Sequence, residues 1–127
     1  MSKFVKIKKD KLINSFKYAF EGISSSFKQE QNLKIHFFIM ALVIICGFIF
    51  KINITEWLIC ILLFGIVISL ELVNTAMEAL CDLVMPDINP KVKIVKDVMA
   101  GAVLVSAITS IVVGLIIFLP KIINLIK

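Results

Sequence analysis

The chain has 127 residues, 60% of them hydrophobic, with a mean hydropathy of +1.02 and a formal net charge of +5. A water-soluble domain of this length cannot bury that much apolar surface, because small domains leave a large share of their surface exposed; lipid as solvent removes the conflict. Nor do these residues leave room for a separate soluble catalytic domain, so any chemistry must be built from membrane helices and their short flanks.

The first predicted element covers about residues 10–30. Leu12, Ile13, Phe16, Phe20, Ile23 and Phe27 recur at spacings of three and four, with lysines on the other side. This is one apolar face of an amphipathic helix lying in the membrane interface, either as an anchor or as part of an active site. Ser24, Ser25 and Ser26 are expected to break or cap it. A first apolar run follows over about 33–50, and no cleavable signal peptide is expected ahead of it. The turn Lys51-Ile52-Asn53-Ile54-Thr55 is short, so the flanking helices are antiparallel neighbours. Thr55 is the expected N-cap of the second membrane helix, with Glu56 and Trp57 in its first turn. That helix runs over 56–85, roughly 45 Å at 1.5 Å per residue. The hydrocarbon core is about 30 Å thick, so its last turns emerge into the cytoplasmic interface. Pro86 and Pro90 bracket the loop after it.

The third membrane helix, 97–119, opens beside Lys96 and Asp97. Ala102, Ser106, Ser110 and Gly114 then recur in steps of four, a ridge of small residues suited to close helix approach within one chain or between chains. The expected fold is an all-α integral membrane protein: a surface helix plus three membrane helices, forming one domain over residues 1–127.

All fourteen basic residues are lysines. Eight precede or open the first span, three (Lys91, Lys93, Lys96) lie between spans two and three, and only Lys51 lies between spans one and two. The positive-inside rule therefore puts the N-terminus and the second loop in the cytoplasm. Anionic headgroups account for the basic N-terminal segment, so no nucleic-acid partner is expected. Cys46, Cys60 and Cys81 lie inside apolar runs without metal or redox spacing and read as packing residues. His36, near the start of span one, reads as an interfacial polar residue.

The second membrane helix carries an anomaly. Glu71, Asn74, Thr75, Glu78 and Asp82 lie at offsets 0, 3, 4, 7 and 11, which places all five within about 100° of one helix face. Carboxylates in hydrocarbon are costly and mark functional sites, whereas a polar seam for helix pairing needs fewer of them. Their oxygens suit Mg²⁺, which binds one or two carboxylates together with substrate phosphates. Glu30 can reach the same level from the start of span one. A free carboxylate can also take a proton from an alcohol, and lysines at the mouth of the third span can meet phosphates. Metal, base and phosphate clamp are the parts of a phosphoryl transfer, although neither a phosphate-binding GxxxxGK[ST] loop nor a soluble-kinase signature is present. Two other classes stay open: a small ion-coupled transporter, which would hold its acids near mid-membrane, and a noncatalytic membrane scaffold.

The string Glu71-Leu-Val-Asn74-Thr-Ala-Met-Glu78-Ala-Leu-Cys-Asp82, followed by Lys96-Asp97-Val-Met-Ala-Gly-Ala-Val-Leu, closely resembles the prokaryotic diacylglycerol kinase and undecaprenol kinase family, over about Lys11 to Phe118. The resemblance implies a homotrimer with active sites at subunit interfaces, transferring the γ-phosphate of MgATP to a lipid alcohol at the bacterial cell membrane. It implies Glu71 as the general base at the lipid hydroxyl, Glu78 and Glu30 as magnesium ligands that also contact the nucleotide, and Asn74 ordering phosphates and base. Lys96 and Asp97 match the nucleotide-contacting pair, Tyr18 lies near the nucleotide, and Gly22 fits the surface-helix pattern. Lys11 stands where the family often has an arginine near lipid and nucleotide, keeping the charge without the bidentate fork. Asp87 and Asn89 fall in the nucleotide-contacting loop, with Asn89 in place of a frequent histidine. The signature variant and the proline-bracketed loop resemble the Gram-positive branch, which acts on undecaprenol; diacylglycerol is the alternative substrate. Asp82 receives no role.

Overall fold

The computed structural model describes residues 2–127 as four helices in chain order: α1 (Lys3–Gln29), α2 (Gln31–Ile49), α3 (Ile54–Val84) and α4 (Pro90–Ile126). Three of them, α2, α3 and α4, are long and apolar enough to cross a membrane. Their outward faces carry exposed side chains such as Phe38, Phe48, Leu62, Ile66, Leu104 and Ile116. So extensive an apolar surface suits lipid and would aggregate in water.

The helix ends depart from the sequence expectations in informative ways. α1 begins at Lys3, seven residues before position 10, where the Ser2 hydroxyl accepts from the Val5 N–H at 3.3 Å. It runs through Ser24–Ser26 without a break, because Ser26 offers its carbonyl to the Glu30 N–H at 2.8 Å and so closes the last turn. Glu30 is the one extended residue between α1 and α2, serving as C-cap of the first and N-cap of the second with no side-chain capping bond. The Lys34 ammonium reaches back to the Lys28 carbonyl at 3.2 Å and ties this corner. The N-cap of α3 is Asn53 and not Thr55. Asn53 and Glu56 form a reciprocal capping box, with Glu56 N–H to Asn53 Oδ1 at 2.9 Å and Asn53 N–H to Glu56 Oε1 at 3.1 Å. Lys51, φ 53°, takes the left-handed conformation that ends α2.

The largest difference is in α4. Pro86 and Pro90 do bracket the α3–α4 loop, but the helix starts at Pro90 and not at 97: Pro90 is the first residue of a 37-residue helix, where its missing N–H costs nothing, and Asn89 caps it with Oδ1 accepting from the Lys91 N–H at 2.8 Å. At 1.5 Å per residue α4 is roughly 55 Å long, well beyond a hydrocarbon core of about 30 Å. Its first two turns, with Lys91, Lys93, Lys96 and Asp97, precede the apolar run and project from it.

α3 and α4 form the most extensive helix pairing. Along the small-residue ridge Ser106 is buried and Ala102, Ser110 and Gly114 are half-buried, with open space where a Cβ of Gly114 would stand. Both seryl hydroxyls donate within their own helix, Ser106 to the Val103 carbonyl at 2.7 Å and Ser110 to the Ser106 carbonyl at 2.9 Å. A core of Ile52, Cys60 and Ile117, flanked by Trp57, Phe64 and Phe118, closes the end opposite the acidic cluster. There Lys121 pairs with Glu56 at 2.8 Å across the α3–α4 contact.

Candidate functional site

The polar face of α3 is graded along its length. Glu71 is buried, with its side chain 3% exposed; Asn74, Thr75 and Glu78 are half-buried; Asp82 is exposed at the helix end. The Thr75 hydroxyl donates to the Glu71 carbonyl at 3.0 Å and so satisfies itself within the helix. Asn74 Oδ1 is buried without a hydrogen-bond partner, an oxygen acceptor available to an added donor or cation.

Two side-chain contacts fix the helix register around this face. His36 Nε2 on α2 lies 3.2 Å from Glu71 Oε1. Glu30 precedes His36 by six residues on a helix running one way, and Glu78 follows Glu71 by seven on a helix running the other way. Axial steps of roughly 9 and 10.5 Å therefore bring Glu30 and Glu78 to nearly one height on the same side of the His36–Glu71 level. Among the described residues neither Glu30 nor Glu78 carries an ion pair. On the α4 side, Lys96 Nζ donates to Asp82 Oδ1 at 2.7 Å, one helical turn beyond Glu78. Asp82 thus has a task that its spacing alone did not assign: it holds the ammonium of Lys96. Hydrogen bonding to Asp82 raises the Lys96 pKa above the ordinary lysine value. Lys93 is likewise raised by its bond to Asp97 at 2.6 Å.

The donor set suits Mg²⁺ by its chemistry: two carboxylates at one height and an orphaned amide oxygen between them and Glu71, all hard oxygen ligands. No cluster of three histidine, cysteine or acidic side chains stands ready to hold a metal by itself among the described residues. That is expected where phosphate oxygens complete the shell.

The single chain does not bring every sequence-predicted residue together. Lys11 and Tyr18 are exposed on α1, roughly 28 and 18 Å along that helix from Glu30. Asp87 is exposed in the α3–α4 loop, and Asn89 spends its Oδ1 on capping. Gly22 is exposed on α1, with open space where a Cβ would stand. His36, read from the sequence as an interfacial polar residue, is instead brought against the buried Glu71. Counting equal steps back from the short α2–α3 turn pairs position 36 with 67, one helical turn from Glu71, and that count is the signal that could have found it.

Beside His36, α2, α3 and α4 line a partly open apolar cavity of about 290 Å³. Its walls include Met40, Val43, Val67, Ile68 and Ala107.

Comparison with known proteins points one way. The family model for prokaryotic diacylglycerol kinase matches residues 17–118. The chain is 43% identical over 112 residues to the undecaprenol kinase of Bacillus subtilis (strain 168), covering 88% of this chain and 91% of that one. It is 36% identical over 115 residues to a diacylglycerol kinase of Synechocystis sp., covering 90% of this chain and 66% of that one.

Proposed function

The chain belongs to the prokaryotic diacylglycerol kinase family, and on that premise we propose that it transfers the γ-phosphoryl group of ATP to undecaprenol, giving undecaprenyl phosphate at the cytoplasmic face of a bacterial cell membrane. The observation that carries this reading is the buried Glu71 carboxylate, set in a membrane helix with acidic and amide side chains leading from it to the helix end. Undecaprenol is preferred over diacylglycerol because the 43%-identical relative acts on it and is matched over nearly its whole length.

Glu71 accepts the proton of the lipid hydroxyl as the alcohol oxygen attacks Pγ. The new O–P bond forms, the bond from Pγ to the bridging oxygen breaks, and ADP leaves with that electron pair. Glu30 and Glu78 would hold a magnesium ion, which would supply positive charge against the phosphates of the nucleotide. Asn74 offers its unpartnered Oδ1 beside the base, and Lys96, kept in place by Asp82, faces the phosphates with Asp97 next to it. Lys11 and Tyr18, remote within one chain, come to the nucleotide across subunit contacts of a homotrimer, with Asp87 and Asn89 at its edge. Lys11 also stands near the lipid headgroup. The lysine-rich α1 lies on the cytoplasmic interface, as the distribution of lysines along the chain supports. An ion-coupled transporter is disfavoured by family membership and by acids that climb toward a helix end.

The test is Glu71→Gln. The purified variant should fold and bind ATP within about twofold of wild type while lipid phosphorylation falls by about 10²–10⁴-fold, the range expected for loss of a general base. Turnover near the wild-type rate would remove Glu71 from that role.

A further inference from the structure

His36 is the one histidine in the chain, and it stands in an apolar helix with its Nε2 at 3.2 Å from Oε1 of the buried Glu71. Its own side chain is 19% exposed. This is the one hydrogen bond made by the Glu71 side chain among the described residues. A carboxylate only accepts hydrogen bonds, so whenever Glu71 is ionised the shared proton sits on Nε2 and His36 donates it. Without that donor an ionised Glu71 would be buried unpaired, at a large cost. The bond engages Oε1 and leaves Oε2 as the oxygen able to take a proton. His36 also lines the apolar cavity between α2, α3 and α4, where a permanently charged donor would be unfavourable.

Resting on the kinase reading, we propose that His36 is the positioning residue of this active site, holding Glu71 by Oε1 so that Oε2 meets the lipid hydroxyl. His36 touches no reacting atom. It acts through Glu71, so its loss should slow the chemical step and leave nucleotide binding alone.

The experiment compares wild type with His36→Leu, His36→Gln and His36→Asn in mixed micelles containing undecaprenol and MgATP. Leucine fills the space without a donor. Glutamine carries an N–H with nearly the reach of Nε2, and asparagine carries the same amide on a shorter stem. The expected result is a kcat lower by about 10- to 100-fold in His36→Leu and His36→Asn, as misplacement of a reacting group produces. The KM for ATP should stay within about twofold, and His36→Gln should regain at least about fivefold of the lost kcat. The Gln–Asn pair keeps the comparison valid if the leucine variant does not fold, since the two differ only in reach. A wild-type kcat in His36→Leu or His36→Asn overturns the proposal, as does a folded His36→Gln no faster than His36→Asn, or a loss carried by the KM for ATP. If wild type labels no lipid alcohol, the kinase reading falls and the role of His36 falls with it.

Discussion

Glu71 and Asp82 sit on one helix face, eleven residues apart, and their surroundings give them different work. Glu71 is buried against His36, where a carboxylate can be fixed and aimed; Asp82 is exposed and spends its charge on Lys96. Glu78 lies between them, half-buried and without an ion pair among the described residues, which leaves its oxygens free for a cation. Glu78→Gln should therefore raise the Mg²⁺ concentration needed for half-maximal activity by roughly tenfold or more, since even outer partners of a metal site cost 10–100-fold in affinity. An unchanged magnesium titration would count against Glu78 as a ligand. The acidic face itself was legible in the sequence, because offsets of 0, 3, 4, 7 and 11 have one direction on any α-helix. The partners of its members were not. His36 and Lys96 reach Glu71 and Asp82 from other helices, 35 and 14 residues away, and intrahelical periodicity carries no information about such pairings.

At the scale of elements, the number and order of helices follow from apolar run length, and the ends follow from local chemistry that runs of hydrophobicity do not show. Asn53 outcompetes Thr55 as N-cap because Glu56, three residues on, completes a capping box with it. α4 starts at Pro90, ahead of the expected position 97, because proline is preorganised for the first helical turn as well as bounding the loop before it. The α2–α3 hairpin depends on one close approach. A Cβ at Gly47 would stand 2.6 Å from Trp57 Cη2 and 2.8 Å from Cζ2, and the Trp57 ring is itself held against Phe48 at a centroid distance of 5.0 Å. Gly47→Ala should destabilise the protein by about 1–3 kcal/mol, the usual cost of overpacking, and lower the thermal unfolding midpoint in detergent. A midpoint equal to that of wild type would show that Trp57 moves aside freely.

Taken whole, α3 pairs most extensively with α4, α2 packs against α3, and α1 meets α2 and α3 beyond the corner at Glu30. One end is closed by the apolar core and the Lys121–Glu56 pair; the other opens onto Glu30, Glu78 and Lys96. That polarity suits an enzyme whose two substrates arrive from different phases, ATP from water and a lipid alcohol from the bilayer. Helix length gave the first indication, since roughly 45 Å of α3 cannot stay within about 30 Å of hydrocarbon. Lys11 and Tyr18 stay far from Glu30 within one chain, and spacing along α1 gives no partner for either of them. The central claim is tested most directly by incubating the purified protein with MgATP labelled at the γ-phosphate and a panel of lipid alcohols. Label should pass to undecaprenol, and more weakly to diacylglycerol. Transfer to diacylglycerol in preference would contradict the choice of substrate, and no transfer to any lipid alcohol would contradict the kinase itself.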